Sequence, residues 1–415
     1  MMRPRRMRIV YVNHTGNVSG AERVLLDLLA GLDLNRYEPV VLCPNEGRLR
    51  TELRGLDVSC RQLPPVEARF SICPDRLFRS LASMRKAIFA LRKQINELKP
   101  DLIHANTIRS GILATIATVG TGVPVVWHVH DILPNHPLSE AIRLFAWLSK
   151  RSHIVGVSHA TVRAFCGALD FKGRARTIHN GVELGKFPFK IVDNSGLTNS
   201  GYREAFGIPQ NGFVVCAIGQ ICERKGLREL VSAFERICKS APQMHLVIVG
   251  TVVFKHEERY FNALREMADK SSCAERIHFT GELSDISEVL QKSDLLVLNS
   301  WQEPFGLVLI EAMSSGTPVL ATRVGGIPEI VTDQVNGWLI EKGDSVGLAS
   351  KLLSLSLDRN VLVEAAQVAR QITIRQFSLQ RFHDNLDRLY SEFDFEQALS
   401  YDSSAKLAFS EHGRL

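Results

Sequence analysis

Glu303 and Glu311 stand eight residues apart in NSWQEPFGLVLIEAMSSGTPVLAT, residues 299 to 322, in two different local settings. LLVLNS reads as a strand, WQEPFG as a short loop and LVLIEAMSSG as a helix that closes at Gly316. Glu303 therefore falls on a loop beyond a strand end, and Glu311 on the helix that follows. The first turn near Gly306 offers unpaired backbone amides, which suit a phosphate or a polarised hydroxyl, and glycine there permits close approach of a ligand. A carboxylate at 311 can accept bonds from a ribose diol, and one at 303 can hold a hexose hydroxyl. A loop glutamate followed by a helical one is also an ordinary surface pattern.

Three more segments carry chemistry-bearing residues. GQICERKG, residues 219 to 226, follows the strand FVVCAIG and holds Arg224 and Lys225 in a glycine-bracketed turn before a helix at Leu227. Fixed cations at a strand end suit a diphosphate leaving group, because charges already in place stabilise charge that develops during reaction. The plainer reading is a solvated basic turn. NHTGNVSGAER, residues 13 to 23, places Gly16 and Gly20 between a strand and a helix but lacks both GxGxxG spacing and the Lys-Ser/Thr of a P-loop. WHVHD, residues 127 to 131, points His128 and His130 to the same side of a strand, with Asp131 at its exit. Two histidines and one acid without further ligands make a thin metal site. His130 can instead bond a sugar hydroxyl or a leaving phosphate, or serve as a satisfied histidine at a strand end. IHNGVE (178 to 183) and RVGGIPEIV (323 to 331) add turn signals that identify no substrate.

The elements that must position these residues alternate regularly. Strands are expected at 8–12, 39–43, 102–105, 124–129 and 153–158, with helices at 20–31, 76–99, 107–118 and 138–150 between them. After a stretch rich in turn formers, 187–202, the alternation resumes. Strands are expected at 213–219, 245–250, 276–281, 295–300, 318–322 and 337–340, with helices at 226–239, 257–272, 284–291, 306–315 and 345–355. Short, nearly continuous apolar strands separated by helices imply parallel sheets covered on both faces. The expected fold class is α/β, with two doubly wound Rossmann-like domains facing across a cleft and ligands beyond the C-terminal strand ends. Residues 1–186 form the first domain, 187–202 the linker and 203–375 the second domain. Residues 376–415 form a helical tail that either ends the second domain or crosses back to the first.

A length of 415 residues suits two cores, and 45% hydrophobic with 23% charged residues is the composition of folded protein rather than of disorder. The eight cysteines form no CxxC pair and several sit in apolar runs, which reads as small buried residues in a reducing compartment. The basic start MMRPRRMR precedes only the short run IVYV, a first strand rather than a signal-peptide core, and no run approaches a bilayer span. The expected location is therefore the cytoplasm. The net charge of +6 hides an asymmetry: residues 1–186 hold 27 Lys/Arg against 15 Asp/Glu, and residues 187–415 hold 23 against 29. Within the basic half, residues 76–99 carry seven Lys/Arg and one Glu on a helix with Leu77, Leu81, Met84, Ile88, Leu91, Ile95 and Leu98 on its apolar stripe. Such a helix either packs on the core with its arginines solvated or lies on an anionic membrane face. No nucleic-acid module or aromatic-interleaved basic stripe appears.

Together these segments resemble the retaining glycosyltransferases of family 4, which have the two-domain GT-B fold, and the resemblance covers nearly the whole length. It rests on the order of the glycine loop at 16–20, HD at 130–131, SHA at 158–160, NGV at 180–182, the G…RKG turn at 219–226, TGEL at 280–283 and EPFGLVLIE at 303–311. It implies transfer of a sugar from a nucleotide-diphosphate donor to an acceptor hydroxyl with retained anomeric configuration, in polysaccharide or glycolipid synthesis, the nucleotide sugar being a substrate and no metal or other cofactor being required. By this likeness Glu303, His130 and Lys225 are the catalytic set. Glu303 and the backbone of Phe305, Gly306 and Leu307 meet donor sugar and diphosphate, Glu311 holds the ribose, and Lys225 neutralises the diphosphate. His130 lies by the transferred sugar, Gly20 meets phosphate or acceptor, and the backbone near Glu282 and Leu283 holds the base. Where the family commonly has Gly-Arg, this chain has Gly219-Gln220, so either Arg224 supplies the missing charge or the phosphate is held less strongly. The implied acceptor side is the basic first domain, which fits an anionic or lipid-linked acceptor, with docking of the chain to the inner membrane face. The competing readings are another GT-B sugar enzyme, such as an epimerase or phosphorylase, and a non-catalytic scaffold.

Overall fold

The computed structural model describes residues 5–66, 74–189 and 201–394, without the side chains of 74–77 and 201–202. Cys73, the side chain of Leu77, most of the 187–202 stretch and the tail beyond 394 lie outside the described residues. The chain divides into two compact units, one within Met1–His179 joined by residues from Gln380 onward, the other Asn180–Leu379.

Among the described residues, the first unit holds seven parallel strands: β1 (Met7–Val12), β2 (Tyr37–Cys43), β3 (Ser59–Gln62), β4 (Leu102–Ala105), β5 (Val125–Val129), β6 (Ser152–Gly156) and β7 (Ala175–Thr177). Their order in the sheet is β3-β2-β1-β4-β5-β6-β7, the order that puts ligand-binding loops at the reversal between β1 and β4. One face carries Val10, Val12, Val40, Leu42, Ile103, Val125 and Trp127, all buried, and is covered by Ala87, Leu91, Ile95 and Leu98 of helix Pro74–Leu98. Trp127 fixes a close helix contact: a Cβ on Gly111 would lie 2.3 Å from its ring, so only glycine fits. The alternate residues Tyr11, His104 and His128 face the other side and are fully buried.

The second unit has the strands β8 (Phe213–Ile218), β9 (Met244–Val249), β10 (Ile277–Gly281), β11 (Leu295–Leu298), β12 (Val319–Thr322) and β13 (Trp338–Ile340), in the order β10-β9-β8-β11-β12-β13. Here too every pairing is parallel. Helix Leu227–Ile237 buries Leu227, Leu230, Val231, Phe234 and Ile237 against this sheet, the three- and four-residue spacing of a one-sided helix.

All eleven expected strands are present. Two short edge strands, β3 (SCRQ) and β7 (ART), escape the apolar signal because they are polar and mostly exposed or half-buried. Helices Leu49–Gly55, His159–Cys166, Gly201–Ala205 and Arg359–Gln376 were also not expected. Helix Gly201–Ala205 begins inside the stretch read as linker. Leu81, placed on the apolar stripe by its spacing, is 57% exposed, because the core-facing stripe runs through Ser80, Ala87, Leu91, Ile95 and Leu98 instead. Among the described residues, no helix is long and apolar enough to cross a membrane.

Candidate functional site

In the second unit the expected residues gather beyond β8 and β11, neighbours in the sheet. Gly219 leaves β8 at φ +146, and the turn Glu223–Lys225 closes on Gly226 in the left-handed region. A Cβ on Gly226 would strike the Asn299 carbonyl at 2.0 Å, while Asn299 Nδ2 donates to the Gly226 carbonyl at 2.8 Å. These contacts fasten the RKG turn to the end of β11. The Lys225 ammonium then donates to Glu303 Oε2 at 2.6 Å, with both side chains largely buried. Ser300 donates to the same oxygen at 3.2 Å, and the Gly326 amide donates to the Glu303 carbonyl at 2.9 Å. Burial pushes the Glu303 carboxyl up, but Lys225, with help from Arg224 and Ser300, holds it below the ordinary carboxylate value. The carboxylate is therefore ionised and held in place by Lys225 and Ser300.

Gly306 begins helix Leu307–Ser315 at φ +105 without a side-chain cap, so the first-turn amides are not taken by a capping residue. Phe305 is buried edge-on against Phe377 at 6.0 Å, which anchors the loop, while Leu307 is half-buried and Glu311 buried. Leu283 is half-buried beyond β10, next to the exposed Glu282.

Neither Gln220 nor Arg224 is idle. Gln220 Nε2 donates to both carboxylate oxygens of Glu257, at 2.9 and 2.7 Å, and Glu257 also accepts from the Phe254 amide. Arg224 donates to the Gln302 carbonyl at 3.3 Å while its own carbonyl accepts from the Trp301 amide at 2.8 Å. Gln220 is thus a tie to the loop after β9, and Arg224 a second tie between the two site loops.

In the first unit His130 lies just past β5, half-buried, with Nε2 buried and unpartnered among the described residues. Burial lowers its pKa well below the ordinary value, with His128 and His104 adding to the effect, so it is neutral. In the glycine loop the two glycines differ. A Cβ on Gly16 would meet the Glu46 carbonyl at 1.6 Å, whereas one on Gly20 would meet open space. Gly16 serves packing, and Gly20 leaves room at the first turn of helix Gly20–Ala30. Asn180-Gly181 has a structural explanation: Gly181 lies against the Leu379 backbone, and Val182 pairs with residues 377–379.

The positions that motif reading missed are Asn299, Ser300 and Glu257. Asn299 and Ser300 were visible only as the end of LLVLNS; Glu257 lies 37 residues from its partner, and no local pattern announces it.

Residues 18–186 match the family of glycosyltransferase family 4, and residues 200–372 match the glycosyl transferases group 1. The crystal structure of Anabaena HepE in complex with UDP-glucose superposes with a TM-score of 0.79 at 26% identity, over 93% of this chain and all of that one. This chain is a GT-B glycosyltransferase. It is 25% identical over 400 residues to the Escherichia coli UDP-Gal:α-D-GlcNAc-diphosphoundecaprenol α-1,3-galactosyltransferase, covering 93% of this chain and 97% of the relative. It is also 25% identical to the Bacillus anthracis N-acetyl-α-D-glucosaminyl L-malate synthase, covering 70% of this chain and 74% of that protein. A glycosyltransferase of this kind moves a sugar from a nucleotide-diphosphate sugar, which is its substrate, in polysaccharide and glycoconjugate synthesis. The two matches lie one after the other along the chain, the first mostly in the first unit and the second within the second, so the family resemblance covers both halves of the glycosyltransferase.

Proposed function

We propose that the enzyme takes a UDP-hexose as donor, transfers the hexose with retention to a lipid-linked or anionic acceptor, and does so with Lys225, Glu303 and His130 in contact with the reacting groups. The Lys225–Glu303 ion pair carries this reading. The ammonium and carboxylate satisfy each other. When a diphosphate arrives, Lys225 turns to the phosphate oxygens and Glu303 is freed for the sugar hydroxyls. The exchange keeps both charges compensated, and the lysine is already within reach of the charge that grows as the glycosidic bond breaks. The amides of Phe305, Gly306 and Leu307 take the sugar and phosphate edge, Glu311 takes the ribose diol, and the backbone at Leu283 takes the base. His130, neutral, bonds a hydroxyl of the transferred sugar, and the open space at Gly20 admits phosphate or acceptor. Gln220 and Arg224 contribute by fixing the loops, so phosphate charge is met chiefly by Lys225 and the helix amides. A front-face departure, with the donor phosphate taking the acceptor proton, needs no carboxylate nucleophile, which agrees with Glu303 being taken up by the sugar hydroxyls.

UDP is favoured because HepE binds UDP-glucose and the Escherichia coli relative is named for UDP-Gal. That relative is also named for a diphosphoundecaprenol-linked sugar. Helix Pro74–Leu98 suits access to such an acceptor at an anionic membrane. Phe78, Leu81 and Phe89 are 74%, 57% and 63% exposed, and Arg85 lies over the Phe89 ring at 5.7 Å. Apolar anchors interleaved with Arg85, Lys86, Arg92 and Lys93 match an acidic lipid surface. Turnover of UDP-glucose and UDP-galactose, followed as UDP release with undecaprenyl-diphosphate sugars as acceptors, tests the reading. Epimerised donor or sugar 1-phosphate in place of UDP would defeat it.

A further inference from the structure

Behind His130, on the buried face of the first sheet, four side chains from separate parts of the chain form one line. Tyr11 on β1 donates to Tyr390 Oη at 3.4 Å, Tyr390 Oη meets His104 Nδ1 at 2.8 Å, and His104 Nε2 meets His128 Nδ1 at 3.1 Å. All four are fully buried. Tyr11 and His104 are register partners on adjacent strands, His128 is on the next strand, and Tyr390 comes from the helical residues 380–394. The line ends at His128, whose ring centroid is 4.2 Å from that of His130, and the Nε2 atoms of both rings are buried without a partner among the described residues.

The partners determine where each proton sits. Burial lowers His104 and His128 far enough that each is neutral and carries one N–H, and it raises both tyrosines, so each keeps its O–H. With Tyr11 donating to Tyr390, the Tyr390 proton goes to His104 Nδ1. His104 then holds its proton on Nε2 and donates it to His128 Nδ1. His128 is left protonated on Nε2, the atom with no partner among the described residues. A buried N–H without an acceptor costs free energy unless something arrives to take it. The line thus spends four residues on aiming one donor.

We propose that Tyr390 and His104 are positioning residues that lock His128 in its Nε2–H tautomer, making His128 a second hydrogen-bond donor, beside His130, to a hydroxyl or carbonyl oxygen of the sugar substrate. This rests on the sugar-facing reading of His130. A tyrosine from the C-terminal helix thereby reaches the substrate through two histidines, although the strand motif WHVHD alone shows only their common side.

Proton–nitrogen long-range correlation spectra of the full chain with labelled histidines, with His128 assigned through His128→Gln, report the tautomer directly. The expected wild-type state is Nε2–H. Tyr390→Phe keeps the ring against Tyr37 and removes the O–H, and it should return His128 to a mixture with Nδ1–H. The same variant should lose about tenfold in kcat for UDP release from UDP-glucose with KM changed by less than about twofold, a loss confined to a step after donor binding. Should Tyr390→Phe fold poorly, Tyr11→Phe keeps the Tyr390–His104 contact but frees its direction, since Tyr390 Oη can then accept from His104 Nδ1–H, and it should shift the tautomer the same way. Wild-type His128 protonated on Nδ1, an unchanged tautomer in both variants, or full turnover with an altered tautomer would overturn the proposal. Wild-type turnover in His130→Ala would instead break the sugar-facing reading on which it rests.

Discussion

At the end of β5 two neutral histidines lie side by side, their Nε2 atoms unpartnered among the described residues, whereas at the ends of β8 and β11 a lysine and a glutamate meet as ions 2.6 Å apart. Both places lie at C-terminal strand ends of a parallel sheet. In the proposed function they differ in what they receive. A diphosphate brings charge, and a buried charge needs a counter-charge that is in place beforehand and itself compensated while waiting. A hydroxyl brings none, and a neutral imidazole with a fixed N–H orients it without the desolvation cost of an ion. The same topology thus supports a charged, self-neutralised site in one unit and an uncharged, tautomer-fixed one in the other.

The charged site should be the more fragile to substitution. Glu303→Ala and Lys225→Ala are each expected to lower kcat by about 100-fold or more while circular dichroism stays native, since each removes a preorganised charge. Near-wild-type turnover for both would erase the distinction between the two sites. At the neutral site His130→Ala is expected to cost about 10- to 100-fold in kcat with UDP affinity unchanged, because one hydrogen bond to the sugar is lost and the nucleotide keeps its contacts. A large loss of UDP affinity would show that His130 serves the phosphate.

Gln220→Arg sharpens the comparison further. Glu257 already takes both hydrogen bonds from position 220, so an arginine there finds that carboxylate first. UDP affinity by calorimetry is expected to change by less than about threefold, the scale of a partly exposed ion pair. Tightening well beyond that would mean the site lacks a phosphate charge that Lys225 and the helix amides do not supply. The smallest effect is on stability. The Glu303 carboxyl is depressed in the fold, so its contribution is complete above the unfolded carboxyl value, about 4.3, and fades as pH falls through the lower folded value. The Tm gap between wild type and Glu303→Gln should therefore be constant near neutrality and close below about pH 4.

The framework was legible because both sheets are parallel and buried. Runs such as FVVCAI and LLVL are apolar throughout, and Gly219 after the first and Asn299-Ser300 after the second announce the loops. The polar edge strands SCRQ and ART gave no such signal. Within the site, Glu303, Glu311 and Lys225 stood out through local spacing, and the structure brings Lys225 and Glu303 into direct contact across 78 positions. What spacing does not carry is the direction of a polar side chain. Gln220 and Arg224 were singled out as rivals for one phosphate, yet each is committed to another loop. Tyr390 and His104, separated by 286 positions, offered no pattern that joins them.

Thermal-shift titration of wild type and Lys225→Ala with UDP, GDP and ADP tests the central claim most directly. The account predicts that UDP gives the largest upward shift in the wild type and that the shift collapses in Lys225→Ala, because the lysine released from Glu303 is what holds the diphosphate. An undiminished UDP shift in Lys225→Ala would contradict it.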